Sequence, residues 1–138
     1  MIILDTNVVS ELMRPRPDPQ VVSWARQQRP SRVAITAVAV AEIGAGIARL
    51  PLGGRRTSLA DRAARIFANH AREVLPFDLR AAAHFCDILA VRAASGRPMS
   101  GFDAQIAAIA RAHDAAIATR DVGGFDGLGV HLVNPWTA

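Results

Sequence analysis

The 138-residue sequence contains no lysine, no tyrosine and only one cysteine, Cys86. A single cysteine excludes an intrachain disulfide and a cysteine-based zinc site, and this usage is typical of a reducing cytosol. The absence of lysine excludes a P-loop and Schiff-base catalysis, which depend on that side chain. No apolar run is long enough to cross a bilayer, and Asp5 ends the first run before the roughly 7–15 residues of a signal peptide. We therefore expect a cytoplasmic protein with no membrane partner.

The positive charge of the chain comes from arginine alone. All 16 basic residues are arginine, and they outnumber 12 acids to give a net charge of +4. Because a guanidinium fork matches phosphate geometry, this excess favours a polyanionic partner. A genome-wide preference for arginine and alanine explains the same composition, so both interpretations stay open. With 51% hydrophobic residues, the chain can bury one core, and we predict a single domain over 1–138.

Short apolar runs alternate with helical patterns, which is typical of βαβ units and a parallel sheet. The predicted strands are 1–4, 32–36, 74–77, 115–119 and 130–133. The predicted helices are 7–13, one that starts at Pro19 behind the cap Asp18, 37–49, one from Ser58 to about Arg72, 80–95 and 101–113. Right-handed crossovers then predict a three-layer α/β/α sandwich around a central, mostly parallel five-stranded sheet.

Three more of these helix starts, besides the one at Asp18, are predicted from side chains that can accept a hydrogen bond from the helix backbone. Ser58 with Asp61, and Ser100 with Asp103, have the spacing of a capping box. Asp78 is placed to cap the helix over 80–95.

Four acids lie at the edge of apolar segments or inside them, where an unpaired charge is costly: Asp5, Glu42, Asp103 and Asp121. Asp5 and Asp121 each follow a predicted strand, so they meet in one crevice if the first and fourth strands are neighbours. Asp103 opens the helix before the fourth strand, at the same edge. Glu42 lies about two turns into the helix after the second strand, which must lean over the crevice for the carboxylate to reach it.

Such a group of acids needs a counter-charge. Two carboxylates about 5 Å apart repel each other by roughly 3 kcal/mol at an effective dielectric constant of 20. Without a cation, some of the four would be protonated. Ligands that are all oxygen favour Mg²⁺ or Mn²⁺, and such an ion can activate water for attack on a phosphodiester.

Three of the acids also have a purely structural interpretation. Asp103 can be the capping partner of Ser100, Asp121 can be a turn residue before two glycines, and Glu42 can be an exposed helix residue paired with Arg49. Asp5 after an apolar strand is harder to explain in that way.

Other polar residues have two interpretations each. Asn7 either faces the crevice or caps a helix. The hydroxyl of Thr6 or Thr119 can donate to a metal-bound water or to a phosphate, although Thr119 can also be simply a strand residue. Arg120 either touches the substrate or is solvated. Loop arginines are further candidates for phosphate contacts: Arg14, Arg16, Arg55 and Arg56.

Four segments of the sequence carry a resemblance to a known family. They are ILDTNVVSEL at 3–12, ITAVAVAEIGAGI at 35–47, GFDAQIAAIA at 101–110 and ATRDVGGFDGLGVHLVNPW at 118–136. In their residues and their order, the chain resembles PIN-domain proteins, specifically the VapC toxins of bacterial type II toxin–antitoxin systems in the FitB-like branch. Some relatives carry Asn at the position of Asp121 and an acid at the position of Gly124.

The resemblance implies an α/β domain with a five-stranded parallel sheet and an Mg²⁺- or Mn²⁺-dependent endoribonuclease that cuts RNA with a metal-activated water. The family's acidic positions, catalytic and metal-binding, fall on Asp5, Glu42, Asp103 and Asp121, and a polar position falls on Thr6 or Asn7. It also implies a homodimer held inactive by a cognate VapB-type antitoxin, whose tail lies in a groove of the toxin with a basic side chain near the acids.

The alternative from another class is a catalytically silent PIN-like module that binds RNA or a protein. A phosphatase with an aspartate nucleophile is disfavoured, because Asp5-Thr6-Asn7 lacks the second acid of that chemistry and the chain has no lysine. With no tyrosine and two tryptophans, we expect RNA to be recognised by shape and phosphates rather than by stacking of single bases.

Overall fold

In the computed structural model, which describes residues 1–138, short strands alternate with helices. The strands are β1 (Ile2–Leu4), β2 (Val33–Thr36), β3 (Glu73–Leu75), β4 (Ala116–Ala118) and β5 (Leu132–Val133). The helices are α1 (Thr6–Leu12), α2 (Pro19–Gln27), α3 (Ala37–Ala48), α4 (Gly54–His70), α5 (Leu79–Ala94), α6 (Gly101–Ala112) and α7 (Val122–Phe125), with a 3₁₀ turn at Pro30–Arg32. None of the helices combines the length and apolar character that a membrane span requires.

The five strands form one sheet in the order β3-β2-β1-β4-β5, and every pairing is parallel. The central strand β1 places Leu4 opposite Ile35 of β2 on one side and opposite Ala118 of β4 on the other. The chain direction of the crossovers reverses between β1 and β4, which is the position where open α/β sheets bind ligands. The condition under which Asp5 and Asp121 meet, that the first and fourth strands are neighbours, is therefore fulfilled.

Successive residues of each central strand point to opposite faces of the sheet, because side chains alternate along a strand. Ile3 and Ile117 join one buried core with α5 and α6. Leu4 and Ile35 join a second core with α1, α2, α3 and α4. Two helical layers thus enclose the sheet, and the predicted three-layer α/β/α sandwich is confirmed.

Three predicted helix caps are formed. The side chains of Asp18, Asp78 and Ser100 accept hydrogen bonds from backbone N–H groups at 2.8, 3.0 and 3.1 Å, respectively. These caps satisfy donors that have no partner inside the helix. The capping box at Ser100 is only half formed, since no hydrogen bond joins the Ser100 backbone N–H to the Asp103 carboxylate.

The predicted start of α4 is wrong. The helix begins at Gly54, so Ser58 and Asp61 lie inside it, and no side chain caps its first turn. The preceding Gly53 has a φ of 152°, a conformation that a side chain would disfavour. The strand predicted over 74–77 is Glu73–Leu75 instead and ends before Pro76, because proline has no N–H to donate to a neighbouring strand.

Candidate functional site

A cavity of about 530 Å³ opens at the carboxyl ends of β1 and β4. We call it the acid cavity, because four acids line it: Asp5, Glu11, Asp103 and Asp121. They come from the end of β1, from α1, from the first turn of α6 and from the loop after β4. Three of the four acids singled out in the sequence therefore meet in one place, as expected for residues at the carboxyl edge of a parallel sheet.

Asp5 lies at the bottom of the acid cavity. Its backbone N–H donates to the carbonyl of Ala118 at 3.0 Å, which extends the β1–β4 pairing by one residue. Its carboxylate accepts hydrogen bonds from the backbone N–H of Thr6 and from the hydroxyl of Thr119, both at 2.8 Å. With only 4% of Asp5 exposed, these bonds hold the carboxylate in a single orientation.

Thr119 connects the parts of the site to each other. Its hydroxyl donates to Asp5 and accepts from the Asn7 amide at 3.2 Å and from the Asp121 backbone N–H at 3.0 Å. A hydroxyl has one proton and two lone pairs, so this group has no capacity left for a substrate. Of the two interpretations of Thr119, the structure supports a local structural bond network, which fixes Asp5 relative to α1 and the β4 loop.

Glu42 lies outside the acid cavity, in an adjoining cavity of about 690 Å³. We call this second cavity the side groove; α1, α3 and α4 line it, with Thr6, Glu42, Ile43, Ile47, Leu59 and Arg62 among its residues. The Thr6 hydroxyl donates to the Glu42 carboxylate at 2.9 Å. Thr6 lines both cavities and thus links Glu42 to Asp5. The pairing of Glu42 with Arg49 that the sequence left open is absent.

Asp121 has a structural role in addition to lining the acid cavity. It is exposed and caps the short helix α7, where its carboxylate accepts from the backbone N–H of Gly124 at 3.0 Å. A Cβ atom at Gly124 would lie 2.7 Å from the carboxyl carbon of Asp121, so only glycine leaves room for this conformation. Asp121 therefore acts as a turn residue before the two glycines and also lines the acid cavity.

Two arginines, Arg92 of α5 and Arg97 of the segment after it, bind the backbone of the α7 segment. Arg92, 5% exposed, donates to the carbonyls of Gly124 and Asp126, the second at 3.1 Å. Arg97 donates to the carbonyl of Gly123 at 2.8 Å. A helix containing two adjacent glycines has little intrinsic stability, so these bonds contribute to its order. Nothing in the local sequence pattern connects Arg92 to Asp121, and sequence reasoning missed it.

Glu11 is the acid of this cavity that sequence reasoning missed. It forms an ion pair with Arg14 at 3.1 Å and accepts from the backbone N–H of Asp18 at 3.0 Å, so its charge is compensated within the chain. A signal was present in the sequence. Asn7, Ser10, Glu11 and Arg14 have the spacing of one helix face, and all four line the acid cavity.

The arginines proposed as phosphate contacts fall into two groups. Arg14 and Arg16 follow α1 in a loop, as predicted, whereas Arg55 and Arg56 lie in the first turns of α4, so their assignment to a loop is wrong. The error follows from the earlier start of α4. Arg120 lines the acid cavity, and its guanidinium carbon lies 5.2 Å from the ring centroid of Trp136.

The surroundings of Asp5 and Asp103 disfavour the ionised forms of these two carboxyl groups. Burial raises the pKa of Asp5 from its usual 3.8 to about 6, against the effect of the hydrogen bonds from Thr119 and Thr6. The charges of Asp103 and Glu42 add to the increase. Burial also raises the pKa of Asp103; the Ser100 side chain partly offsets this effect and the charge of Asp121 adds to it. The acids therefore interact with one another, although no three of them are spaced to contact one ion directly.

This burial predicts a pH dependence of stability in protein kept free of metal with EDTA. Because the pKa of Asp5 is about 6 in the folded state and 3.8 when unperturbed, the folded state holds the proton more tightly. The contribution of Asp5 to stability is complete below about pH 4 and is lost as the pH rises through 6. The difference amounts to about 3 kcal/mol.

The measurement is urea unfolding of the wild type and of Asp5→Asn at several pH values between 4 and 7.5. We expect the wild type to lose stability relative to the variant over this range. Parallel stability profiles for the two proteins would contradict the unfavourable burial of the Asp5 charge.

Comparison with known proteins is consistent with the geometry. A model of the PIN-domain family matches residues 2–128. VapC ribonuclease Y4jK of Sinorhizobium fredii is 40% identical over 99% of this chain and 98% of its own length. Toxin FitB of Neisseria gonorrhoeae is 38% identical over 99% of each chain. The crystal structure of FitAcB from the same organism matches all of both chains with a TM-score of 0.88 and 37% identity.

A more distant structure has the same fold. VapBC-5 from Mycobacterium tuberculosis, a member of the VapBC family of toxin-antitoxin systems, has a TM-score of 0.69 and 26% identity over 95% of this chain and 94% of its own. Matches that span nearly the whole chain, at up to 40% identity, leave no part of the acid cavity outside the similarity. The chain therefore belongs to the PIN-domain family, in the branch that contains the VapC ribonuclease and FitB toxins.

Proposed function

We propose that this protein is the endoribonuclease toxin of a type II toxin–antitoxin system and hydrolyses RNA phosphodiester bonds with the help of Mg²⁺ or Mn²⁺. The observation that carries the proposal is the meeting of Asp5, Asp103 and Asp121 in one cavity, with Glu42 one hydrogen bond away through Thr6. The relatives support the same conclusion, because they include a protein named as a VapC ribonuclease and a toxin.

The residues present fit a divalent cation. The acid cavity offers oxygen ligands, and Asp5 is a buried carboxylate without a cationic partner of its own. Mg²⁺ keeps several waters and usually takes only one or two protein carboxylates, so three direct acidic ligands are not required. Asp5 and Asp103 would hold the ion directly, and Asp121 and Glu42 would act through water. The chemistry that such an ion supplies is activation of a water for in-line attack on phosphorus.

The protein's own contribution is to orient the acids before the substrate arrives. Thr119 and the Thr6 backbone hold both oxygens of Asp5, the Thr6 hydroxyl holds Glu42, and the Gly124 N–H holds Asp121. Groups fixed in this way need no reorganisation during the reaction, which is the main source of electrostatic catalysis. The chain thus supplies preorganised negative charge, and the RNA supplies the phosphate.

We assign the side groove to a cognate antitoxin of the VapB type. The groove combines apolar residues with three arginines, Arg14, Arg55 and Arg62, and it adjoins the acid cavity at Thr6 and Ser10. An extended or helical peptide in this groove would reach the acids with a basic side chain and compete with a cation. The FitAcB and VapBC-5 structures, which resemble this chain over nearly its whole length, support a partner of this class.

A homodimer is also part of the proposal. The alanines of α6 are buried in the core and give no support. The support comes from α5 and its surroundings, where Leu79, Leu89, Val91 and Phe102 are exposed. Apolar side chains that are exposed in this way are available for a contact between protein chains.

The competing function is a silent PIN-like module that binds RNA or protein without cleaving it. All four acids are present, which favours the enzyme. Calorimetric titration with Mg²⁺ and Mn²⁺ separates the two, because a module without catalysis has no need of a metal site. Absence of binding at millimolar metal would favour the silent module.

The first test of the proposed function concerns Asp5→Asn. We expect at least a 100-fold loss of RNA cleavage, since even residues that only orient a metal ligand typically contribute about 10–100-fold. The matched control is Asp61→Asn, an exposed acid on α4 that does not line the acid cavity. Circular dichroism should show the same fold for both variants. Full cleavage by Asp5→Asn would rule out its catalytic role.

The second test of the proposed function probes Asp121 without changing it. In Gly124→Ala, the added methyl group displaces the Asp121 carboxylate, and we expect cleavage to fall by about 10–100-fold. Gly123→Ala is the matched control, because its added methyl group would meet no atom within 4 Å. Equal cleavage rates for the two variants would show that the position of Asp121 does not matter.

The third test of the proposed function concerns the antitoxin. Expression of the wild-type chain alone should arrest bacterial growth, and co-expression with the protein encoded next to it should restore growth and give a complex that copurifies. Ile47→Arg introduces a charge into the apolar wall of the side groove and should weaken the complex. Rescue of growth without any complex would contradict inhibition by direct binding.

A further inference from the structure

We propose that Arg120, held against Trp136, binds a phosphate of the RNA backbone at the mouth of the acid cavity. This inference rests on the proposed ribonuclease function and adds to it a substrate contact at a defined residue. It follows the expectation from composition that RNA is recognised by its phosphates rather than by stacking of single bases. Here the aromatic ring positions a cation.

The position of Arg120 is fixed by its neighbours in the fold. It follows Thr119, the residue that orients Asp5, and its own backbone N–H donates to the Asn7 side chain at 3.3 Å. Its guanidinium lies over the ring of Trp136, with 5.2 Å between the guanidinium carbon and the ring centroid. Both side chains line the acid cavity.

Trp136 is itself held in place. It is half-buried and packs on the core between the sheet and helices α1, α2, α3 and α4. Its backbone N–H donates to the side chain of Asn134 at 3.0 Å. A guanidinium that stacks on an anchored ring has already lost part of its conformational freedom, so less is lost when it binds an anion.

The charges around the cavity single out Arg120. Two arginines line this cavity together with four acids. Arg14 is paired with Glu11 at 3.1 Å, whereas the Arg120 guanidinium makes no ion pair and no hydrogen bond within the chain. Arg120 lines the same cavity as four carboxylates and is adjacent to Asp121 in the sequence. Its five side-chain N–H donors nevertheless remain free to bind an anion.

A phosphate is the ligand that these features suit. The carboxylates of the acid cavity repel an RNA strand that approaches them. The unpaired guanidinium of Arg120 at the mouth of the cavity reduces this repulsion. The planar fork of arginine matches two phosphate oxygens at once, and its weak hydration lowers the cost of the contact. Because the phosphates are identical along the RNA strand, such a contact adds affinity for RNA without a preference for its sequence.

The experiment measures RNA binding in the Asp5→Asn background, where the substrate stays intact. Single-stranded oligoribonucleotides of two unrelated sequences are titrated at several salt concentrations in the presence of Mg²⁺. Arg120→Met should weaken the binding of both RNAs about tenfold. It should also reduce the slope of log K against log salt by about 0.7, the value for one phosphate contact on a single strand.

The matched control is Arg29→Met. Arg29 is exposed and precedes β2, so it lies at the amino end of the strands, away from the acids. The Arg29→Met substitution removes the same charge as Arg120→Met. It should leave the RNA affinity and the salt slope close to those of the Asp5→Asn protein. Arg120→Lys keeps the charge but loses the fork, and we expect it to keep the slope and lose part of the affinity.

A double-mutant cycle tests the role of Trp136. Trp136→Leu should weaken RNA binding when Arg120 is present and should have no further effect in the Arg120→Met background. Trp136→Phe should restore most of the binding. Thermal unfolding of each variant checks that the comparison is made between folded proteins. Equal effects of Trp136→Leu in both backgrounds would overturn the proposed stacking role.

The outcomes separate this inference from the proposed function. If the wild type cleaves RNA but Arg120→Met binds it like Arg29→Met, the inference fails and the function stands. If weakening depends on the RNA sequence, Arg120 reads bases and the phosphate contact is wrong. If the wild type cleaves no RNA, the proposed function fails, and the binding titration still decides whether Arg120 contacts a polyanion.

Discussion

The hydrogen bond from the Thr119 hydroxyl to the buried carboxylate of Asp5 is the contact on which the site depends. It joins the ends of the two central strands, and the same hydroxyl accepts from Asn7 and from the backbone of Asp121. The register of β1 against β4 places these residues side by side. A threonine that uses its complete hydrogen-bonding capacity inside the protein therefore determines where the acids point.

The arrangement has an energetic cost that the sheet and its two cores must offset. Burial of Asp5 works against its ionised form, and the neighbouring acids increase that effect. The unpaired charge of Arg92 is also buried, with carbonyl oxygens as its only acceptors. Buried charges without an ionic partner are typical of sites whose arrangement serves function rather than stability.

The sequence predicted the sheet and its layers because short apolar runs and helical patterns alternate regularly. It also indicated that Asp5 and Asp121 would meet, since each follows a strand that ends at the same edge. It did not predict that Glu42 would lie in a separate groove, because the tilt of α3 depends on packing against α1 and α6. The predicted start of α4 was wrong because the helix begins after the backbone conformation of Gly53 and not behind a side-chain cap.

The order of the strands has a consequence for the synthesis of this protein. Asp5 is synthesised before its partner Thr119, which lies 114 positions later in the sequence. The strand β1 therefore cannot pair with β4 until the chain has been synthesised through β4. Contacts between residues so far apart in sequence form slowly. A nascent polypeptide that has not yet reached β4 has no assembled centre, so the acids come together only after β4 has been made.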